Sequence, residues 1–463
     1  MVRLTFYGAA ETVTGSKYLL EVDGTHVLFD CGLFQGLKEL RQRNWEPFPF
    51  PPAKVQAVVL THAHIDHVGY LPRFVKDGFH GPVYSTPATE ALAELLLLDS
   101  AKNEENDAAY ANRKGFAKHR PALPLFGSDD VRRAMRRFRT VQRGEWFSVA
   151  GSVWARFHDT GHLLGSSMIE VEVRKGARPL RLLFSGDVGR YNAPLYFDPV
   201  PPPPCDYLVC ESTYGDRDHP STNILDHVCN VVQAAIARGG VMVVPSFAVG
   251  RAQQLIYLLQ VLIHHERIPR IPIFLDSPMA VAGMNIYRYY AEEHDLMEAL
   301  AAEADYAFDE RFIRLARTTV QSKQINSVKG PAVIIASSGM LIGGRILHHL
   351  QQRLPNERNT LVLAGYMAEG TRGRLLQDGA KTLRLHGRDV PVRAAVVELS
   401  VLSGHADRSE LTRWLGPLPA PTRTFITHGE KHSAMAMAAK LSSERGWTTV
   451  VPKMGEAFEL GID

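Results

Sequence analysis

The sequence predicts an α/β protein in which a β-rich domain is interrupted by a second domain built on a mainly parallel sheet. Three observations predict this fold class: short strand-like segments dominate before the proline run Pro201–Pro204, apolar runs alternate with helical stretches after it, and strands return near the C-terminus. A proline run is stiff and extended, which is typical of a domain boundary. The predicted domains are residues 1–205 together with 386–463, and residues 206–385 as the insertion.

The first part of the chain is predicted to form strands linked by tight turns. Lys17–Val22 and His26–Asp30 flank Asp23-Gly24, a dipeptide that favours a two-residue hairpin turn. Runs of β-branched and apolar residues between turn residues predict the further strands Val55–Leu60, Val153–His158, Met168–Val173 and Leu180–Phe184. Helical patterns predict helices at Thr86–Asp99 and at Asp129–Thr140.

After the proline run the chain alternates between short apolar strands and helices, which favours a parallel sheet with helices on its faces. The predicted strand–helix pairs are Val241–Pro245 with Arg251–His264, Ile271–Leu275 with Pro278–Glu292, and Ala332–Ala336 with Gly343–Leu350, followed by the strand Thr360–Gly365. The last part returns to strands at Ala394–Leu399 and Thr424–Thr427 and closes on a helix at Ser433–Arg445.

Composition excludes several classes of protein. Hydrophobic residues make up 45% and charged residues 22%, which excludes a disordered tail, a collagen and a disulfide mini-scaffold. The longest apolar stretches, Ala91–Leu98 and Val241–Val249, are far shorter than the ~20 residues that a membrane helix needs. The four cysteines form no C-x-x-C pair, and the N-terminus begins with a strand-like Leu4–Tyr7 rather than a signal peptide. We therefore expect a cytoplasmic protein with no membrane partner.

The overall charge carries little information about partners. Lysine and arginine number 52 against 49 for aspartate and glutamate, so the net charge is only +3. Any affinity for a polyanion must therefore come from the local placement of charge.

The strongest local signal is Thr61-His62-Ala63-His64-Ile65-Asp66-His67, directly after a predicted apolar strand. Neutral imidazoles and a carboxylate are ligands that Zn²⁺ prefers, and one ion accepts about four of them. In an extended segment His62 and His64 lie on one side, whereas Asp66 and His67 point elsewhere as the chain turns into a helix. Ligands divided in this way suggest two metal ions. The alternative is a histidine-rich surface loop.

Partners for these ligands occur at the ends of other predicted strands. His162 follows Val153–His158, Asp187 follows Leu180–Phe184, and His428 follows Arg423–Ile426. Each has a glycine beside it, which permits close approach of the backbone. Taken singly, each residue is more typical of an ordinary loop, whereas together with the first cluster they indicate a metal site.

These motifs resemble those of the metallo-β-lactamase fold, an αββα sandwich with a two-zinc site, and the remainder resembles its β-CASP branch of nucleic-acid nucleases. That branch carries an acidic residue after a strand, here Glu211, a Ser-Gly-His-Ala-Asp box, here Ser403 to Asp407, and a late histidine, here His428. Three more segments that resemble β-CASP are Pro245-Ser246-Phe247-Ala248-Val249-Gly250-Arg251, Ser337-Ser338-Gly339-Met340 and Gly365-Tyr366-Met367-Ala368-Glu369-Gly370-Thr371. The resemblance extends from the first strand to His428.

Carried over position by position, the resemblance implies two Zn²⁺ ions per chain. The first would be held by His62, His64 and His162, the second by Asp66, His67 and His428, and Asp187 would bridge them. Two ions about 3.5–4 Å apart can share a water, lower its pKa and clamp the oxygens of a phosphate.

The resemblance also implies the residues that act beside the metals. The predicted catalytic residues are His405, Glu211, Asp66 and Asp187, with His405 as the general acid for the leaving oxygen and Glu211 orienting or polarising it. The alternative for His405 is a loop histidine bonded to the backbone. Asp30 is expected to support the metal loop rather than to bind metal itself.

The insertion is expected to bind the phosphates of the substrate. Ser246 and Arg251 bracket a glycine at a strand-to-helix turn, where free N–H groups and the helix dipole attract anions. Further candidates at corresponding positions are Ser338, Gly339, Arg345 and Arg372. The alternative is that each arginine is a solvated surface residue.

A second arginine-rich segment lies in the first domain. Arg132, Arg136, Arg139 and Arg143 recur at three- and four-residue spacing, which predicts first an amphipathic helix with a basic exposed face. A secondary track for nucleic acid is the alternative.

The resemblance therefore implies a zinc-dependent ribonuclease that hydrolyses phosphodiester bonds of single-stranded RNA in the cleft between two domains. We expect endonuclease cleavage and leave exonuclease activity and a homodimer open. In this family the late motif is histidine in RNA-directed members and commonly valine in DNA-directed ones, so His428 favours RNA. Three alternatives stay open: a DNA-directed nuclease of the same fold, a non-catalytic scaffold, and a metallo-hydrolase of small esters or thioesters.

Overall fold

The computed structural model describes residues 1–115, 121–220, 223–295, 312–365, 367–399 and 402–461. The chain divides into two compact units. Unit 1 consists of Met1–Ala193, Phe197–Asp218 and His405–Asp463, and unit 2 consists of Pro194–Tyr196 and His219–Gly404. Tyr366, which belongs to one of the β-CASP-like segments, lies outside the described residues.

Short runs rich in valine, isoleucine, leucine and phenylalanine form the strands, as expected for side chains that pack well on a pleated surface. In chain order the strands are β1 (Val2–Phe6), β2 (Tyr18–Val22), β3 (Thr25–Phe29), β4 (Ala57–Val59), β5 (Val83–Ser85), β6 (Phe138–Thr140), β7 (Phe147–Ala150), β8 (Val153–Asp159), β9 (Ser167–Val173), β10 (Leu180–Phe184), β11 (Tyr207–Cys210), β12 (Val241–Pro245), β13 (Ile273–Asp276), β14 (Ile313–Leu315), β15 (Ala332–Ala336), β16 (Thr360–Leu363), β17 (Thr382–Leu385), β18 (Arg388–Pro391), β19 (Ala395–Glu398), β20 (Arg423–Ile426), β21 (Thr449–Val450) and β22 (Ala457–Leu460).

The helices account for most of the remaining regular structure. In chain order the α-helices are α1 (Lys38–Arg43), α2 (Ile65–Val68), α3 (Leu71–Lys76), α4 (Pro87–Lys114), α5 (Ser128–Met135), α6 (Ile224–Ala237), α7 (Arg251–His264), α8 (Pro278–Tyr289), α9 (Thr319–Gln324), α10 (Ile346–Arg353), α11 (Arg372–Gln377), α12 (Arg408–Leu415) and α13 (Lys431–Arg445). Single 3₁₀ turns occur at Pro52–Lys54, Ala291–Glu293 and Ile325–Ser327.

Unit 1 contains two seven-stranded sheets that share one apolar core. The strand order is β22-β1-β2-β3-β4-β5-β6 in the first sheet and β21-β20-β11-β10-β9-β8-β7 in the second. Strand alternation directs Val153, Ala155 and Phe157 of β8 into the core between the sheets. The hairpin predicted at Asp23-Gly24 is confirmed, since β2 and β3 pair antiparallel across it.

Helices cover the outer faces of this pair of sheets. On the second sheet, Trp414 of α12 and Met437 of α13 pack with Leu183 and Leu208 in a separate buried cluster. On the first sheet, α4 contacts β6, α2 and α5. The layers confirm the predicted αββα sandwich.

The helix predicted at Asp129–Thr140 is wrong in its second half. Helix α5 ends at Met135, and Phe138–Thr140 forms β6, which pairs in parallel with β5. Pairing with the sheet satisfies the backbone of this segment and buries Phe138, a gain that a local helical pattern does not reveal. The regular arginine spacing therefore does not form one face of a helix.

Helix α4 begins where the sequence predicts and ends later. The Thr86 hydroxyl accepts a hydrogen bond from the Thr89 backbone N–H (3.3 Å), which caps the helix, and Gly115 closes it in the left-handed conformation. The predicted end at Asp99 is wrong, because nine of the fifteen residues from 100 to 114 are the strong helix formers Ala, Glu, Lys and Arg, which continue the helix to Lys114.

Unit 2 is built on a six-stranded sheet with the order β14-β13-β15-β12-β16-β19, and every neighbouring pair in it is parallel. All residues of β12 and β15 are buried, as expected for central strands that are covered on both faces. This confirms the predicted mainly parallel sheet. Strands β17 and β18 form a separate antiparallel hairpin.

The compact units divide the chain at different residues from the predicted domains. Strand β11 pairs with β10 and β20 and lies in unit 1, whereas the sequence assigns residues from 206 onward to the insertion. Strand β19 pairs with β16 and lies in unit 2, whereas the sequence assigns residues from 386 onward to the first domain. In the described part of the chain, no helix combines the length and apolar composition needed to cross a membrane.

Candidate metal centre

The predicted ligands of unit 1 all follow the carboxyl ends of strands. The segment Thr61–His67 comes after β4, His162 after β8, Asp187 after β10 and His428 after β20. Close packing holds the first segment in place: a Cβ on Gly32 would lie 1.6 Å from the backbone oxygen of Asp66, so only glycine fits there. The strand ends therefore bring residues that are distant in sequence to one edge of the sheets.

Three imidazoles converge in the first half of the site. The Nδ1 atom of His64 lies 3.1 Å from the Nε2 atom of His62 and 3.1 Å from the Nε2 atom of His162. Burial lowers the pKa of both His62 and His64 well below the ordinary value of histidine, so at neutral pH both rings are uncharged and can offer a lone pair to a metal ion.

The second half of the site joins His67, His428 and Asp66. The Nε2 atom of His67 lies 3.1 Å from the Nε2 atom of His428, which is 3.5 Å from the Oδ2 atom of Asp66. Although burial opposes it, the hydrogen bond from His428 and the charge of His67 lower the pKa of Asp66 to about 2. The carboxylate is thus ionised at neutral pH.

Asp187 lies between the two halves. Its Oδ2 atom is 3.3 Å from the Nε2 atom of His62 and 3.4 Å from that of His162. Its Oδ1 atom is 3.3 Å from the Nε2 atom of His67 and 3.4 Å from the Nδ1 atom of His428. Each carboxylate oxygen therefore faces a different group of imidazoles.

This donor set fits divalent metal ions. Four ligands at 2.0–2.1 Å around a tetrahedral ion are about 3.3 Å apart, which matches these spacings. The potential ligand atoms of His62, His64, His162 and Asp187 lie within 4.8 Å of one another, and so do those of Asp66, His67 and His428. Among the described residues, the buried Oδ1 atom of Asp187 accepts no hydrogen bond, which leaves its lone pairs for a cation.

Hydrogen bonds from behind fix the ligand rings. The Oδ2 atom of Asp30 lies 2.7 Å from the Nδ1 atom of His67, and the Oδ1 atom accepts from the Thr61 backbone N–H at 2.8 Å. The hydroxyl of Thr213 lies 3.1 Å from the Nδ1 atom of His428. Such outer partners orient a ligating imidazole and raise its basicity.

His405 stands beside the ligands and contacts Glu211. Its Nδ1 atom is 3.3 Å from the Oε1 atom of Glu211 and 3.9 Å from the Oδ2 atom of Asp187. Burial lowers the pKa of His405, but the Glu211 and Asp187 carboxylates outweigh burial and raise it. His405 thus carries a proton more readily than an isolated histidine does.

Two elements hold this pair in place. Glu211 follows β11, and its carboxylate accepts hydrogen bonds from the backbone N–H groups of Val188 (2.7 Å) and Thr213 (3.2 Å). His405 lies two residues before Asp407, the N-cap of α12. Asp407 accepts a hydrogen bond from the Glu410 N–H (2.8 Å), and Glu410 accepts one from the Asp407 N–H (3.0 Å). This reciprocal cap fixes the start of the helix and hence the backbone that carries His405.

The residues predicted to bind phosphate lie in unit 2. Ser246 follows β12 and Ser338 follows β15, two adjacent parallel strands, so the two serines lie at one edge of the sheet. Arg251 begins α7 and donates to Gln254. A Cβ on Gly339 would lie 2.8 Å from the Phe247 ring.

Two of the predicted arginines take part in internal contacts of unit 2. Arg345 donates to the buried Asp276 carboxylate (2.7 Å) and to the carbonyl of Ala316 (2.8 Å). Arg372 donates to the carbonyls of Leu341 (3.2 Å), Ile342 (3.0 Å) and Arg384 (3.2 Å). Structural contacts therefore account for much of the hydrogen-bonding capacity of both side chains.

Sequence reasoning missed the hydroxyl groups of the site. Thr61 and Thr213 both contact groups that position a ligand, and the Ser16 hydroxyl lies 3.4 Å from the Nε2 atom of His67. Thr61 and Thr213 stand next to recognised motifs, which is the one signal that points to them. Ser16 lies in a separate loop, and its role depends on folding.

Comparison with known proteins adds an independent line of information. Three family models match the chain: the metallo-beta-lactamase superfamily over residues 12–217, the Beta-Casp domain over residues 252–376, and the Zn-dependent metallo-hydrolase RNA specificity domain over residues 389–452. Ribonuclease TTHA0252 of Thermus thermophilus is 38% identical over 98% of this chain and 99% of its own length.

Two further proteins are similar to this chain. Transcription termination factor FttA of Methanosarcina mazei is 31% identical over 95% of this chain and 69% of its own length. A solved structure of a protein of unknown function from Enterococcus faecalis matches with a TM-score of 0.55 and 15% identity, covering 99% of this chain and 100% of that one. The latter similarity concerns the fold alone.

Proposed function

The chain belongs to the β-CASP family of metal-dependent nucleases in the metallo-β-lactamase superfamily, and from this premise we propose that it is a zinc-dependent ribonuclease acting on single-stranded RNA. The observation that carries the proposal is the convergence of seven potential ligands in unit 1, with His405 beside them. The name of one relative, a ribonuclease, the match of residues 389–452 to an RNA specificity domain, and the histidine at position 428 favour RNA over DNA.

The ligands fall into two sets around a shared carboxylate. His62, His64 and His162 would hold one zinc ion, and Asp66, His67 and His428 would hold the other, with Asp187 between them. Two zinc ions held in this way supply an activated water at neutral pH and stabilise charge on the phosphate oxygens.

His405 is suited to protonate the oxygen that leaves when the phosphodiester bond breaks. Its Nδ1 atom faces Glu211, so the Nε2 atom would be the one to protonate the leaving oxygen. Glu211 favours the protonated ring and holds it in one orientation, because its own carboxylate is fixed by two backbone N–H groups. Asp30 and Thr213 keep the rings of His67 and His428 aligned.

Cleavage of labelled oligonucleotides tests the proposal. We expect the zinc-loaded protein to cut unstructured RNA and to spare the DNA of the same sequence, and end-labelled products will separate internal cleavage from trimming. His405→Ala should lower the rate about 10²- to 10⁴-fold while retaining zinc, whereas Asp187→Ala should lose zinc as well. His80→Ala, at an exposed histidine, is the matched control.

Four outcomes would overturn the proposal or its parts. Cleavage of DNA with no cleavage of RNA would make the protein a DNA-directed nuclease. Turnover of a thioester with no action on either nucleic acid would indicate a small-molecule hydrolase, and absence of bound zinc would indicate a scaffold. Wild-type activity in His405→Ala would remove the general-acid role alone.

A further inference from the structure

Positive charge is concentrated in one short segment of unit 1. Residues 129–145 contain six arginines against three carboxylates, an excess equal to the net charge of +3 on the whole chain. This segment therefore offers a polyanion a local excess of positive charge.

Carboxylates neutralise only part of this charge. Arg132 pairs with Asp129 and Arg133 pairs with Asp130. Within the described part of the chain, no carboxylate forms an ion pair with Arg136, Arg137 or Arg139. Arg139 also interacts electrostatically with Glu90 without forming an ion pair. Burial raises the pKa of the Glu90 carboxyl, and the charge of Arg139 partly offsets that rise.

Backbone carbonyls hold the unpaired arginines in position. Arg136 donates to the carbonyl of Arg132 (3.3 Å), Arg137 to the carbonyl of His80, and Arg139 to the carbonyl of Phe138 (2.7 Å). Each guanidinium has five N–H donors, so a single contact orients it and leaves donors for a ligand. Arg136 and Arg139 are also exposed to solvent.

The sheet topology directs this segment toward the metal centre. Strands β4, β5 and β6 are parallel, so the chain leaves β6 at the same edge where β4 leads into the ligands His62 to His67. Beyond β6, Arg143 donates to the carbonyl of Ser166 (2.9 Å) and pairs with Asp159 (3.2 Å). Asp159 ends β8 and Ser166 directly precedes β9, so they stand at the two ends of the loop that carries His162.

Arginine on an edge strand has an ordinary explanation, since charge there prevents pairing with other chains. That explanation covers Arg139 of β6, the outermost strand of its sheet. It does not cover Arg136 and Arg137, which precede the strand, or Arg143, which follows it. A row that starts before the strand and ends at a ligand loop indicates a further role.

We infer that Arg136, Arg137, Arg139 and Arg143, here named the basic strip, bind the phosphate backbone of single-stranded RNA and lead it to the metal centre. The identification of this polyanion as RNA rests on the proposed function. Guanidinium groups match phosphate oxygens in geometry and charge, and contacts of this kind bind the backbone without selecting a sequence.

The test compares two double variants that lose the same charge. Arg136→Gln with Arg139→Gln removes the exposed arginines of the basic strip. Arg3→Gln with Lys54→Gln removes two exposed cations, one near the start of β1 and one before β4. Both strands run toward the metal centre, so these cations lie at the opposite edge of the same sheet. The zinc-loaded proteins are assayed with a labelled RNA of about 20 nucleotides and with one of about 4, too short to span an extended binding surface.

For the long RNA we expect the first variant to raise KM on the order of tenfold near 0.1 M salt and to leave kcat unchanged. The slope of log KM against log salt should fall by about 1.4, since each lost phosphate contact on a single strand contributes about 0.7. The short RNA and the second variant should behave as in the wild-type protein.

Fluorescence anisotropy of the same long RNA measures binding independently of cleavage. Wild-type KM and salt slope in the first variant, or an equal effect in the second, would overturn the basic strip while leaving the proposed function intact. If the wild-type protein binds RNA but does not cut it, the proposed function fails, and the anisotropy of the two variants still decides the basic strip. Absence of RNA binding by the wild-type protein would overturn the proposed role of the basic strip.

Discussion

Asp30→Asn tests how the site keeps His67 able to bind metal. Asp30 has no exposed surface, and its Oδ2 atom lies 2.7 Å from the Nδ1 atom of His67. A carboxylate there accepts a hydrogen bond from the Nδ1–H, so a bound metal ion would replace the proton at the Nε2 atom, which faces Asp187 and His428. An amide nitrogen in the same place would donate instead, and it would favour the opposite tautomer.

The expected magnitude follows from the contacts that change. The amide oxygen of asparagine can still accept from the Thr61 backbone N–H, which Asp30 holds at 2.8 Å, so the fold should persist. One charge-assisted hydrogen bond is lost, which costs about 1.5–3 kcal/mol. This range corresponds to a loss in zinc affinity of about 10- to 100-fold, the usual effect of removing such an outer partner.

Competition with a chromophoric chelator measures the zinc dissociation constant directly. Asp23→Asn is the matched control, because it makes the same chemical change at a half-exposed carboxylate of the β2–β3 turn. Zinc binding by Asp30→Asn that equals the wild-type affinity, with an unchanged melting temperature, would refute the assignment of the His67 tautomer to Asp30.

Two further predictions concern buried charge outside the metal centre. Burial lowers the pKa of Lys17 from 10.5 to about 8, so between these pH values the unfolded chain holds more protons than the folded one and stability rises with pH. Lys17→Met should therefore raise the free energy of unfolding at pH 7 by up to about 3 kcal/mol. Urea unfolding at several pH values should show that the stability of this variant depends less on pH above pH 8 than that of the wild-type protein. Arg345→Met should lower the free energy of unfolding by about 3 kcal/mol, because Asp276 has no exposed surface and, among the residues that the structure describes, keeps only His349 (2.6 Å) and Ser322 (2.6 Å) as side-chain partners. For Arg345→Met an unchanged melting temperature with a raised KM for RNA would instead support phosphate binding by Arg345.

Local sequence patterns predicted most of the strands and helices. The hairpin at Asp23-Gly24, the strand Ala332–Ala336 and the helix Arg251–His264 all form where their patterns place them. The failure at Phe138–Thr140 has a different cause, since that segment becomes a strand only because β5 offers a parallel partner. Such pairing joins segments far apart in sequence, and no local pattern records it.

The candidate site shows the same division. Spacing and strand-end position singled out His62, Asp187 and His428, and the structure brings them to one place. Arg345 matched its pattern equally well, yet its guanidinium contacts Asp276 on a neighbouring strand. The type and local position of a side chain thus predicted where it could act, but its hydrogen-bond partners in the fold determined how many of its donors remain for a ligand.

The order of residues by itself determined the donor chemistry, which consists of imidazoles and carboxylates placed after apolar strands. Only the tertiary structure decided the grouping, in which the two oxygens of Asp187 face separate sets of histidines and a carboxylate oxygen of Asp30 contacts the Nδ1 atom of His67. The physical reason is that ligand chemistry belongs to single residues, whereas a distance of about 3 Å between residues hundreds of positions apart exists only after sheets have paired and packed.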